Sequence, residues 1–171
     1  MLKYTNDRGT QIVLALLKAH GIRKVVASPG TTNIALIASM QYDPWFEMYS
    51  SVDERSAAYI ACGLAAESGE PVVISCTGAT ASRNYFPALT EAYYRKLPIL
   101  VVTGSHGDEK IGHLYAQVID RSQAPKDTIR MSISVDRICS VDDEWAVMVN
   151  VNKAILELWH RGGGPVHINL R

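Results

Sequence analysis

Three short stretches carry residue types from which a small-molecule site could be built. They are Ser28-Pro29-Gly30-Thr31-Thr32-Asn33, then Ser51-Val52-Asp53-Glu54-Arg55 leading into Ser56-Ala57-Ala58, and Thr77-Gly78-Ala79-Thr80-Ala81-Ser82-Arg83-Asn84. In the first, Gly30 lets the backbone come close to a ligand. A helix starting just after it would offer free amides and the positive end of its dipole. A tight turn with a Thr or Asn helix cap explains the same residues equally well. In the second, acids at a helix start are ordinary. Asp53 and Glu54 signal chemistry only if one carboxylate sits at the ligand-facing end of a strand in an apolar setting, and Ala57, Ala58 and Ala61 would let other elements pack closely there. The third is long for a bare turn, and its small side chains would let a ligand lie against backbone, which favours a binding role.

Other candidates carry less. His106 and His113, near Asp108 and Glu109, could in principle act as acid–base groups, but their spacing fits no ligand motif and they read as solvated loop residues. His20, His160 and His167 read as structural. Ser28, Ser51 and Ser75 lie in no nucleophile-elbow sequence. Trp45, Trp145 and Trp159 read as core or interface residues. Neither GxGxxG nor a Walker A sequence occurs, which argues against an unrelated Rossmann-like nucleotide binder.

The elements that must position these stretches follow from apolar periodicity. Gln11 to His20 carries a helical face ending at Gly21, a natural C-cap. Helices are also expected over Asn33 to Met40, over Glu54 to Ser68 with a stop at Gly69, over Asn84 to Lys96 with Pro87 in its first turn, and over Asp142 to Trp159. Strands are expected at Lys24 to Ala27, Phe46 to Val52, Pro71 to Cys76, Pro98 to Thr103, Ile129 to Val135 and Pro165 to Leu170. Continuous apolar runs such as Pro-Ile-Leu-Val-Val-Thr at 98–103 suit strands buried on both faces of a parallel sheet. Residues 104–128 are polar and irregular, and long segments of that kind are often functional. Repeated β-loop-α order implies an α/β fold, an open doubly wound, mainly parallel sheet with helices on both faces. Ligands then bind beyond the carboxyl ends of the strands, where all three stretches fall.

Length and composition set the frame. The chain has 171 residues, 47% hydrophobic and 20% charged, and fits one globular domain spanning 1–171. Its 17 basic and 17 acidic residues cancel, with no basic stripe, so neither nucleic acid nor a membrane is an expected partner. The three cysteines, Cys62, Cys76 and Cys139, include no CxxC pair. A disulfide framework or zinc site is not expected; reduced, mostly buried thiols in a cytoplasmic protein are. No signal peptide or membrane-length apolar run is present in the sequence.

Taken together, the motifs resemble those of thiamine-diphosphate-dependent enzymes, in their pyrimidine-binding (Pyr) domain. Val52-Asp53-Glu54-Arg55-Ser56-Ala57-Ala58-Tyr59, running on to Gly63-Leu64-Ala65, resembles the glutamate motif. Pro71-Val72-Val73-Ile74-Ser75-Cys76-Thr77-Gly78 looks like the next strand and cofactor loop, and Asn84-Tyr85-Phe86-Pro87-Ala88-Leu89 like the helix after it. Ser28-Pro29-Gly30 matches the first substrate-side loop, and Pro165 to Leu170 the closing strand. The menaquinone-pathway synthases that join 2-oxoglutarate to isochorismate are the nearest in pattern; acetolactate-synthase-type enzymes share it more loosely.

The resemblance implies thiamine diphosphate as cofactor and a 2-oxo-acid decarboxylase or carboligase, a lyase or transferase. Glu54 would hydrogen-bond N1′ of the aminopyrimidine and so activate the cofactor. Thr77, Gly78 and Asn84 would lie near that ring, Gln117 near the reacting centre, and Ser28, Gly30 and Thr31 toward the 2-oxo-acid substrate. The menaquinone synthases usually carry a serine and then an arginine after Ser-Pro-Gly; Thr31, Thr32 and Asn33 stand here, so a cationic clamp for a carboxylate is missing. The family also needs a diphosphate-binding (PP) domain whose Gly-Asp-Gly motif holds Mg²⁺. This chain has no Gly-Asp-Gly, so no metal ligands are assigned to it. The PP domain becomes an expected partner, from the same longer chain or a separate subunit, and a homodimer through Pyr domains the expected assembly. The chain alone is expected to be inactive. The competing reading is a non-catalytic α/β binding or scaffold domain that retains the fold.

Overall fold

A computed structural model describes residues 4–121 and 123–171. Six strands, β1 (Lys24–Ala27), β2 (Glu47–Ser50), β3 (Val72–Thr77), β4 (Ile99–Gly104), β5 (Met131–Val135) and β6 (Val166–Leu170), form one sheet in the order β2-β1-β3-β4-β6-β5. Every pairing is parallel. The helices are α1 (Arg8–Ala19), α2 (Ile34–Tyr42), α3 (Glu54–Ser68), α4 (Ala79–Arg83), α5 (Phe86–Arg95) and α6 (Val141–Glu157).

Side chains alternate across the pleat, so each apolar run feeds two cores. Val25, Ala27, Val73, Leu100, Val102, Val166 and Ile168 meet α1, α2 and α6 on one face. Val26, Val72, Ile74, Cys76, Ile99 and Val101 meet α3 and α5 on the other. The central strands β3 and β4 are buried almost throughout, and each fully buried Leu, Ile or Val contributes roughly 1.5–3 kcal/mol. The α3 side is filled by Ala57, Ala58, Ala61, Ala65, Ala88 and Ala92, whose small side chains let the helices lie close to the sheet. The fold is the doubly wound α/β sheet expected from the sequence.

Helix starts are capped by short polar side chains. Asp7 accepts from Thr10 N at 2.7 Å, Asp53 from Ser56 N at 2.7 Å, and Ser140 Oγ from Asp143 N at 3.1 Å. Gly69, at φ 69°, ends α3 in the left-handed conformation, which costs a glycine little.

Several expectations need correction. The stretch 77–84 is not simply a loop: α4 occupies Ala79–Arg83, pinned where Ser82 Oγ donates to the carbonyls of Gly78 at 2.5 Å and Ala79 at 2.8 Å. Asn84 ends α4 rather than starting the next helix, which begins at Phe86 with Pro87 in its first turn. The second strand is shorter than Phe46 to Val52, because Val52 points into solvent at 94% exposure. Cys139 is exposed, unlike Cys62 and Cys76. Asn33 precedes α2 but makes no capping bond with its side chain.

The chain runs from β1 outward to the edge strand β2, then returns to β3 on the other side of β1. Successive connections therefore leave β1 in opposite directions, and a crevice opens where they part. The segments after β1, β2 and β3 border that crevice.

Candidate functional site

The loop after β1 is held by buried polar contacts. Ser28 N donates to Ser75 O at 2.9 Å, and Ser28 Oγ to Ser51 O at 2.8 Å, which ties the ends of β1, β2 and β3 together. Asn33 is 1% exposed and works backward into the loop. Its Nδ2 donates to Ser28 O and Ser75 Oγ, and its Oδ1 accepts from Gly30 N at 2.8 Å. Thr32 Oγ1 donates to Gly104 O at 2.6 Å. Of the three residues after Gly30, only Thr31 is exposed.

Three glycines mark close approaches. A Cβ on Gly30 would stand 2.2 Å from Thr77 Cγ2, and one on Gly104 would stand 2.0 Å from Thr32 O. A Cβ on Gly78 would meet Gly104 O at 2.9 Å and the Arg121 guanidinium at 3.0 Å. At these three positions the loops after β1, β3 and β4 pack too closely on one another for a side chain.

Asp53 and Glu54 divide the roles that their sequence left open. Asp53 is the cap of α3, and its hydrogen bonds with Ser56 hold its carboxyl below the usual range. Glu54, half-buried in the first turn of α3, is engaged by no hydrogen bond or ion pair among the described residues. It lies close enough to Cys76 and Tyr85 for its charge to push both of their pKa values upward.

Tyr85 is fully buried, and its hydroxyl sits beside Cys76 and Ser28 without a partner at hydrogen-bonding distance. Burial is the main cause that raises its pKa well above the ordinary value. Burial likewise pushes the Cys76 thiol up to about 12. Both groups stay protonated near neutrality, as Glu54's neighbours rather than as bases. Buried hydroxyls are normally satisfied, and this one lies within range of the Glu54 charge.

Past Gly78 the rim changes character. Thr103 Oγ1 meets His167 Nε2 at 2.8 Å, and Ser132 Oγ meets His167 Nδ1 at 2.8 Å. Asn169 Oδ1 accepts from Thr103 Oγ1, Ser105 Oγ and Arg121 Nη2. Burial pushes the His167 pKa down to about 3, so the ring is neutral. Burial also lowers the Arg121 pKa to about 10, and its Nη1 has no partner. A cleft of about 100 Å³ opens here, lined by Ser105, His106, Gln117, Arg121 and Asn169.

The structure brings Ser28, Gly30, Glu54, Thr77 and Gly78 together at the ends of β1, β2 and β3. Gln117 sits instead on the wall of the neighbouring cleft, exposed and at φ 59°. Asn84 and Thr31 are exposed. Tyr85 and Arg121 were missed by sequence reasoning, while His167 and Cys76 are buried as expected of a structural histidine and a reduced thiol. Tyr85 had a signal: it falls in register with Ala88, Leu89 and Ala92, a helical spacing that buries its hydroxyl. Arg121 had none, because its burial depends on Gly78 and Asn169, which are remote in sequence.

Among the described residues, no cluster of His, Cys, Asp and Glu could hold a metal ion. No helix among them is long and apolar enough to cross a membrane.

Comparison with known proteins agrees with this geometry. Residues 7–124 match the family described as thiamine pyrophosphate enzyme, N-terminal TPP binding domain. The 2-succinyl-5-enolpyruvyl-6-hydroxy-3-cyclohexene-1-carboxylate synthase of Bacteroides thetaiotaomicron is 38% identical over 98% of this chain and 30% of its own length. The enzyme of the same name from Porphyromonas gingivalis is 37% identical over 98% of this chain and 29% of its own length. Among solved structures, the thiamine diphosphate-dependent 4-hydroxybenzoylformate decarboxylase of Rhodococcus jostii superposes with a TM-score of 0.80 at 23% identity, covering 95% of this chain and 29% of that one. That likeness shows the fold. The chain spans about 30% of the length of the curated relatives it matches. It belongs to the thiamine pyrophosphate enzyme family and corresponds to the N-terminal domain of those enzymes.

Proposed function

We propose that this chain is a single pyrimidine-binding domain of a 2-oxo-acid decarboxylase or carboligase, in which Glu54 activates thiamine diphosphate. The observation that carries this reading is the division between two adjacent acids: Asp53 is consumed by capping α3, while Glu54 is half-buried, within range to act on the buried Tyr85, with no hydrogen-bond or ion-pair partner among the described residues.

The residues present fit the cofactor's aminopyrimidine. Gly30 packs on Thr77 and Gly78 on Gly104 and Arg121 too closely for a Cβ, which fixes the backbone against which the ring would be set. Glu54 would accept a hydrogen bond from the ring, and the Tyr85 hydroxyl is a further polar group awaiting one. Closure of the site by the cofactor would lower the local dielectric and strengthen both hydrogen bonds. When bound, thiamine diphosphate supplies a carbon nucleophile and an electron sink for the carbanion left by decarboxylation. The protein's task is orientation and the holding of one proton at Glu54. Thr77 and Gly78 shape the floor, and Asn84, Ser28, Gly30, Thr31 and Gln117 stand around it as candidate contacts for cofactor or substrate.

A partner PP domain would hold the diphosphate and Mg²⁺, and a Pyr–Pyr homodimer would complete the assembly, in the cytoplasm. The curated relatives' names support a synthase that builds a carboxylated cyclohexene product. Thr31, Thr32 and Asn33 offer no cation at the first loop, and Asn33 is spent on holding that loop, so any carboxylate of the acceptor would have to be met by cations elsewhere.

The test is exchange of the cofactor's thiazolium C2 proton with deuterium in the complete holoenzyme, followed by NMR. Glu54→Gln should slow exchange at least ~100-fold, the lower end of what a positioned acid–base group contributes. Unchanged exchange with cofactor bound would remove Glu54 from the activation step.

A further inference from the structure

Arg121 is a cation that the fold covers without answering. Asn169 Oδ1 accepts from its Nη2, while its Nη1 is closed off from water and has no hydrogen-bond partner among the described residues. Arg83 and Arg171 lie near enough for their charges to oppose it. Asp108, whose charge favours it, is engaged by Arg171 at 2.6 Å. Arg171 is answered a second time by Asp136 at 2.8 Å. Arg83 is exposed and donates to the carbonyl of Asp120 at 2.8 Å. Arg121 is thus the arginine of this group left both covered and without a counter-charge among the described residues. Taking a charge out of water is costly unless a partner of opposite sign is supplied.

The side chain is nonetheless firmly placed. Thr103 Oγ1 and Ser105 Oγ also donate to Asn169 Oδ1, at 3.0 and 3.1 Å. Thr103 has spent its proton there, so at 2.8 Å its oxygen accepts from His167 Nε2, and His167 Nδ1 accepts from Ser132 Oγ at 2.8 Å. The neutral ring therefore carries its single proton on Nε2. Every donor in the chain from Ser132 points toward the one oxygen that anchors the guanidinium. A guanidinium held through one nitrogen keeps the rest of its fork for a planar oxyanion. On its other side it lies against the loop after β3, where a Cβ on Gly78 would meet both Nη atoms at 3.0 Å. The cleft of about 100 Å³ that Arg121 lines is bounded by Ala79, which follows that glycine, and by Gln117. It has room for a polar group of a few atoms.

We propose that Arg121 is the cation of a carboxylate subsite in this cleft, and that the carboxylate is one the reaction keeps. The first half rests on the geometry alone, and the second on the proposed cofactor chemistry. The carboxylate that departs as CO₂ has to lose its charge, and an ion pair would stabilise it before the reaction rather than during it. A guanidinium beside the cofactor loop therefore suits a second carboxylate, remote from the oxo group of the donor or carried by the acceptor. It supplies the cation that Thr31, Thr32 and Asn33 do not.

The test uses the complete holoenzyme, with succinate, a dicarboxylate without an oxo group, as the calorimetric probe. The parent should bind it, and Arg121→Met should weaken binding at least ~10-fold, the lower end for a hydrogen bond to a charged group. Arg121→Lys should recover part of that loss, since it returns the charge without the planar fork. CO₂ release then identifies the source of the carboxylate. A fall in the preference of Arg121→Met for 2-oxoglutarate over 2-oxobutyrate, read as the ratio of their kcat/KM values, assigns it to the donor. An unchanged ratio with succinate binding still weakened assigns it to the acceptor. A parent that takes up no succinate overturns the proposal, whether or not the variants fold. So does an Arg121→Met enzyme that binds succinate as tightly as the parent. Succinate binding needs no turnover. An enzyme that keeps it, dependent on Arg121, yet releases no CO₂ from any 2-oxo acid would overturn the catalytic reading and leave the anion site standing.

Discussion

The carboxyl ends of one sheet are finished in two different ways. Over β4, β6 and β5 the polar side chains largely answer one another: Thr103, His167, Ser132, Asn169 and Ser105 form a connected set of hydrogen bonds, and only the Arg121 Nη1 at its edge is left over among the described residues. Over β1, β2 and β3 they do not. Glu54 and the Tyr85 hydroxyl have no hydrogen-bond partner among the described residues, although the backbone around them is tightly organised. Both rims are made by the same fold, so topology does not cause the difference. A satisfied polar network specifies structure, whereas unanswered groups held in place by a rigid frame are what a ligand-binding site looks like before its ligand arrives.

The sharpest way to break this comparison is to neutralise the open rim. Glu54→Gln in the complete enzyme should lower turnover about 10²–10⁴-fold, while denaturant unfolding changes by no more than about 0.5 kcal/mol. If unfolding suffered and turnover did not, Glu54 would belong with the structural rim. The closed rim should respond in the opposite sense. His167→Leu leaves buried Thr103 with a lost partner and should cost about 1–3 kcal/mol of unfolding free energy, read from the shift in urea midpoint.

The third effect is a pH slope. His167 binds a proton near pH 6.5 when unfolded and only near about pH 3 when folded. Between those values the unfolded state holds the extra proton. The contribution of His167 is therefore fully present above pH 6.5 and is lost as pH falls toward 3. Its slope reaches about 1.4 kcal/mol per pH unit. Urea titrations from pH 7 to pH 4 should show it in the parent and a flatter course in His167→Leu. The smallest effect is again at the open rim. Tyr85→Phe removes a buried hydroxyl with no partner at hydrogen-bonding distance among the described residues, so stability should hold or rise by up to about 1 kcal/mol. A loss of that size or more would mean that the hydroxyl has a protein partner after all.

Much of this was legible in the sequence, for physical reasons that can be named. The inner strands β1, β3 and β4 could be read because each is a short apolar run ended by glycine, proline or small polar residues, and burial on both faces leaves no polar alternation to confuse the pattern. The cap at Asp53 and the stop at Gly69 are local features, decided within one turn. What escaped is what depends on partners far along the chain. Asn33 looked like a helix cap, yet its side chain turns back to Ser75. Arg121 reads as one more loop cation until Gly78 and Asn169 enclose it. The helix α4 was lost among alanines and serines whose helical state is secured by Ser82 bonding to Gly78. Even the separation of Asp53 from Glu54 could not be read from sequence, because two neighbouring acids differ only in which one the helix start uses.

Gly104 has one more consequence, for the timing of events at the crevice. The carbonyl of Thr32 and the amide of Asn33 lie directly on it, within the space that a methyl group would need. The Ser28–Asn33 loop is therefore a fixed jaw, seated on the end of β4 and latched by Thr32 Oγ1. Motion that admits or releases a ligand has to come from elsewhere along the rim. The rate of exchange should then be insensitive to substitutions at the tip residue Thr31 and sensitive to those in the long segment that follows β4.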